Sequence, residues 1–92
     1  STAPYGQATH VNVSQDQEGI VAVGASLGFK VNYVLDQYYN PLIVDSTKLE
    51  LQEVSNGIGK IENNRFVGVK AGTGTIIAKY DTVTVSIPVT VT

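Results

Sequence analysis

The chain has no cysteine, no methionine and no tryptophan among its 92 residues. Without cysteine there is no disulfide framework, no thiolate metal site and no thiol nucleophile. An animal secreted sandwich of this size is expected to carry a bridge, so the absence points to a bacterial exported module or a cytosolic domain. Charge is also sparse: charged residues make up 15 % of the chain, well below the usual level of about a quarter. The six basic residues, Lys30, Lys48, Lys60, Arg65, Lys70 and Lys79, stand singly along the sequence. Electrostatic capture of nucleic acid or of an anionic membrane therefore has little to work with. Apolar runs extend over only a few residues, too short for a membrane span or the apolar stretch of a secretory leader.

What remains is a strand-forming composition, rich in Val, Ile, Thr and Tyr and poor in helix formers. The ordering principle is alternation with a period of two. Val11 and Val13 alternate with His10, Asn12 and Ser14, and Val21 and Val23 follow. Leu27, Phe29, Val31 and Tyr33 alternate with Gly28, Lys30, Asn32 and Val34, which predicts a strand with the first set on its buried face. Asp36 to Pro41 is turn chemistry, and Leu42 to Val44 forms a short strand. Leu49 and Leu51 alternate with polar neighbours, and Asn63-Asn64 makes a tight turn before Phe66. Ile76, Ala78 and Tyr80 share one face, as do Val83, Val85, Ile87, Val89 and Val91. Pro88 cannot donate to a ladder, so its strand is expected at a sheet edge or with a bulge at the proline.

Ninety-two residues make one domain. Short strands at regular spacing with no helix-length segment between them predict an all-β fold, a two-sheet antiparallel β-sandwich of the immunoglobulin-like kind with about seven to nine strands. Residues 1–8 read as a linker and residues 9–92 as the domain.

The stretch Gly59 to Tyr80, Gly-Lys-Ile-Glu-Asn-Asn-Arg-Phe-Val-Gly-Val-Lys-Ala-Gly-Thr-Gly-Thr-Ile-Ile-Ala-Lys-Tyr, resembles the C-terminal half of bacterial immunoglobulin-like domains of group 2. Ile61, Phe66, Ala71, Gly72, Thr73, Ile76, Ala78 and Tyr80 fall on that family's pattern, and Ser86 to Val91 looks like its closing strand. Asp36-Gln-Tyr-Tyr-Asn-Pro-Leu42 is similar to a loop of related adhesin sandwiches, except that Tyr39 stands where a glycine is usual. No tryptophan fills the core site common in the family, which leaves that place to Leu49 or Leu51. The resemblance implies a non-catalytic module of a larger secreted or cell-surface bacterial protein, acting as a spacer or an adhesion surface. Its implied partners are neighbouring domains of the same chain, or a surface protein or polysaccharide. The alternative is a carbohydrate-binding module that accompanies a polysaccharide-active enzyme.

Candidate chemistry is thin, and no enzyme, metal or cofactor role is expected. His10, the only histidine, lies on a polar-alternating strand with no triad partners in view. Asp16 with Glu18, or Asp36 with Asp45, offers two or three oxygens where calcium needs six to eight. Tyr38 and Tyr39 are the candidate contacts for a sugar or protein, because at most one of two neighbours in an alternating segment faces the core. Tyr80 is a further candidate stacking ring. Ile77, Val34 and Val67 lie out of phase with the buried faces and are read as a contact patch for a neighbouring domain. Lys30 falls on the polar face of its strand, which argues against an isopeptide staple. Asn12-Val-Ser14 matches a glycosylation acceptor of consequence only in a eukaryotic secretory pathway.

Overall fold

A computed structural model describes residues 6–92; of the expected linker, residues 1–5 lie outside the described part. Ten strands follow in order: β1 (Ala8–Gln15), β2 (Ile20–Val21), β3 (Ser26–Leu27), β4 (Phe29–Asp36), β5 (Pro41–Leu42), β6 (Leu49–Val54), β7 (Gly59–Glu62), β8 (Arg65–Gly68), β9 (Gly72–Tyr80) and β10 (Val83–Val91). Two 3-10 turns, Asp16–Gly19 and Ser46–Lys48, are the only helical segments among the described residues. No described helix is long and apolar enough to cross a membrane.

The strands form a four-stranded sheet, β2-β10-β9-β6, and two three-stranded sheets, β1-β4-β5 and β3-β8-β7. Only Gly28 separates β3 from β4, so the two smaller sheets run into each other. One apolar core joins Leu27, Val31, Val34 and Phe66 to Leu49, Leu51, Ile76, Ala78, Tyr80, Ile87, Val89 and Val91. The result is a sandwich-like all-β fold. Leu49 and Leu51 are both buried in this core. Gly59 has a packing reason: any Cβ there would overlap the Phe66 ring, which is fully buried.

The first strand segment changes sheets at Asp16–Gly19. Before it, β1 pairs antiparallel with β4; after it, β2 pairs parallel with β10. The switch is pinned reciprocally, since Asp16 N–H donates to Gly28 O at 3.0 Å and Gly28 N–H donates to Asp16 Oδ2 at 3.1 Å.

The phase of β4 departs from simple alternation. Asn12 pairs with Tyr33 and Val13 with Val31, which leaves Asn32 as an extra residue on β4. Such a bulge moves every later side chain to the opposite face. Val34 is therefore buried at 1 % exposure, where a contact patch was expected, and Tyr33 is turned outward at 48 %, where a core position was expected. Ile77 and Val67, the other members of that expected patch, are half-buried.

Pro88 lies inside a nine-residue strand opposite Thr75, yet β2 pairs only with Thr90 and Val91 on the other side. The Pro88 carbonyl points to that open side and accepts from Gln15 Nε2 at 2.8 Å. Its nitrogen points the same way, so no ladder donor is lost.

Candidate functional site

The β4–β5 turn is organised by one carboxylate. Asp36 is fully buried, and it accepts hydrogen bonds from Gly6 N–H (2.8 Å), Tyr38 N–H (2.8 Å), Asn40 N–H (2.9 Å) and Asn40 Nδ2 (2.9 Å). Burial pushes the carboxyl pKa up, but these four donors outweigh it and bring it from 3.8 down to about 2. Aspartate at the start of such a turn satisfies backbone N–H groups that would otherwise be orphaned. With its oxygens engaged by these donors, Asp36 is a turn former and not a calcium ligand. Asp45 is likewise occupied, accepting from Thr47 Oγ1 at 2.6 Å and Thr47 N–H at 3.1 Å. Those two bonds, with the nearby Lys48 charge, lower its pKa against partial desolvation. Among the described residues no group of three or more His, Asp or Glu side chains is arranged to hold a metal.

Held by this cage, the turn presents both Tyr38 and Tyr39 to solvent, at 54 % and 68 % exposure. Neither covers the core. Tyr39 has φ +63°, the left-handed region in which a non-glycine residue is uncommon. Its ring stacks on His10 of β1, with centroids 4.7 Å apart and planes 13° from parallel. His10 itself is half-buried. The other face of the Tyr39 ring stays open.

The stack continues into the outer face of β1 and β4. Asn12 pairs with Tyr33, so the two side chains share that face, one step along β1 from His10. Asn32 Nδ2 donates to Asn12 Oδ1 at 2.8 Å, which fixes the amide beside the Tyr33 position. Between β1 and the unpaired edge of β10 lies a shallow groove of ≈ 360 Å³, with His10, Asn12 and Tyr33 on one wall and Thr84 and Ser86 on the other. No carboxylate, lysine or arginine lines it.

Two further expectations need correction or placement. Tyr80 is 2 % exposed, and its hydroxyl accepts from Asp45 N–H at 3.0 Å; a ring packed in the core offers no stacking face to a ligand. Lys30 is exposed on the polar face of β4, as its phase predicts. Sequence reasoning missed His10 as the neighbour of Tyr39, and Tyr33 as an outward-facing residue of the same strand pair. The turn-forming residue types from Asp36 to Pro41 were the available signal, since such turns often hold a left-handed position.

Comparison with known proteins finds no family model that matches the chain and no curated protein that matches its sequence.

Proposed function

We propose that this chain is a non-catalytic, immunoglobulin-like module of a larger exported bacterial protein, serving as a rigid spacer that holds neighbouring domains apart. The observation that carries this reading is where the chain enters and leaves the domain. Gly6 to Thr9 share a depression with Thr82 and Val83 at the start of β10, whereas Thr92 bonds to Val21 and Val23 beyond its far end. The length of β10, about 30 Å at the usual rise, therefore separates the two poles. The body measures 53 × 20 × 19 Å, long in one direction only. A domain entered at one pole and left at the other extends a chain; one with adjacent ends only decorates it.

Three features support the immunoglobulin-like topology and the bacterial setting: the sheet switch at Asp16–Gly19, the parallel pairing of β2 with the last strand, and the absence of cysteine. Small-angle scattering on two complete chains fused head to tail tests the spacer reading. The expected result is a maximum dimension close to twice that of one chain and a two-bead, end-to-end profile. A compact, side-by-side pair would overturn it.

A further inference from the structure

We propose that the outer face of β1 and β4, from Tyr39 across His10 to Tyr33 and into the groove beside β10, binds a neutral oligosaccharide chain. The proposal does not depend on the spacer reading, which concerns only the two poles of the domain. Its first support is the state of Tyr39. A side chain in a left-handed turn position, 68 % exposed, is held in one orientation by a ring stacked on its inner face. The outer face is then a flat surface that loses little freedom when a ligand lands on it. Non-glycine residues in the left-handed region cluster at ligand sites, and Tyr39 fills no part of the core.

The second support is the sequence of groups along the face. Tyr33 lies diagonally across from His10, at the roughly 7–8 Å spacing of diagonal strand neighbours, so a second exposed ring shares the face with the Tyr39–His10 stack. Sugar rings present C–H faces to aromatic planes and hydroxyls at their rims. The rims would meet the Asn12 amide, already oriented by Asn32, and the Thr84 and Ser86 hydroxyls across the groove.

Charge narrows the ligand class. With no carboxylate, lysine or arginine lining the groove, and His10 covered by the Tyr39 ring, a charged polymer finds little pairing there. An extended peptide added to the β10 edge is the competing occupant. That edge offers it little: β2 already holds Thr90 and Val91, Pro88 lacks an N–H, and Gln15 occupies the Pro88 carbonyl. Only Thr84 and Ser86 keep backbone groups directed to the open side, fewer than a stable added strand uses. A glycan needs no ladder, so the same edge serves it.

The test is an amide-shift titration of the complete, isotope-labelled chain with neutral β-1,4-linked hexasaccharides of glucose, xylose, mannose and N-acetylglucosamine. At least one is expected to move the Asn12, Tyr33, Tyr39 and Ser86 signals together and to saturate. Tyr33→Ala and Tyr39→Gly should each weaken that binding tenfold or more. Glycine suits the backbone at position 39, so an unchanged spectrum elsewhere will show that the Tyr39→Gly protein is folded. Silence with all four sugars, or affinity unchanged in both variants, would overturn the proposal. So would a Thr- and Val-rich extended peptide that shifts Thr84 and Ser86 while the sugars do not.

Discussion

Asn64 substitutes for a strand at the edge of β6. Its Oδ1 accepts from the Leu51 N–H at 2.8 Å, and its Nδ2 donates to the Leu49 carbonyl at 2.7 Å. β6 is the last strand of its sheet, and Leu49 and Leu51 are core residues, so these backbone groups have little access to water. The amide comes from the turn between β7 and β8, where Asn63 and Asn64 have φ +51° and +57°. One side chain thereby ties the edge of one sheet to a hairpin of another. It also occupies backbone groups that would otherwise invite pairing with a second copy.

Asn64→Gly preserves the left-handed backbone and removes only the amide. Leaving one part-buried donor and one part-buried acceptor unpaired should cost about 1–2 kcal/mol. Urea unfolding is the measurement, read as a lower midpoint with an unchanged slope. A midpoint equal to that of the parent chain would mean that water replaces the amide at no cost.

The His10–Tyr39 stack makes a paired prediction. A left-handed backbone costs an ordinary residue roughly 1–2 kcal/mol, and an aromatic pair returns about 0.5–1.5 kcal/mol. Tyr39→Gly removes both terms, so its stability should lie within about 1 kcal/mol of the parent. His10→Ala removes the stack but keeps the strain, and should destabilise by about 1 kcal/mol. Thermal unfolding of the two variants side by side tests this. The reverse order, with Tyr39→Gly the less stable, would show that the ring is held by more than its stack.

Much of this fold is legible in the sequence because apolar alternation continues unbroken through β10 and the second half of β9. Tyr80, Ala78 and Ile76, and Val91, Val89 and Ile87, are buried as the period predicts. The reading fails where one residue is inserted. The bulge at Asn32 inverts the phase of β4, and nothing local in Lys30-Val-Asn-Tyr-Val34 announces it, because either phase buries a valine. The turn at Asp36 is recognisable from its residue types, but its fourth acceptor bond comes from Gly6, thirty positions away. The candidate site combines both difficulties. Tyr33 faces outward only because of the bulge, and His10 meets Tyr39 only because the tertiary fold brings β1 beside the turn.

Asp36 also sets the response to acid. Its pKa is near 2 in the folded chain and about 3.8 unfolded, so the unfolded state binds the proton first as pH falls. The stabilisation is complete above the unfolded value and disappears as pH drops through the folded one, between about pH 4 and pH 2. Asp45 acts in the same direction. Asp36→Asn places amide hydrogens against donors, and should be less stable at neutral pH and flatter in its acid dependence. Melting temperatures at pH 7, 4, 3 and 2 decide this. Parallel curves for the two proteins would show that other carboxylates govern the acid limb.

The parallel β2–β10 pair predicts how the domain responds to tension. Because Gly6 and Thr92 lie at opposite poles, pulling between the chain ends draws β2 one way and β10 the other, along their common axis. The Thr92 N–H to Val21 O bond (2.9 Å) and the Val23 N–H to Thr92 O bond (3.2 Å) flank the pair and are loaded in shear with it. Bonds in shear must break together, whereas bonds at the end of a hairpin open one at a time. Single-molecule stretching of a head-to-tail array should therefore give one sharp force peak per domain. Val23→Pro deletes one donor of this clasp and should lower that peak clearly, while equilibrium stability falls by only about 1 kcal/mol. If the parent array instead extends at low force with no peaks, β2 is not a mechanical clasp, and a spacer built from this domain is soft.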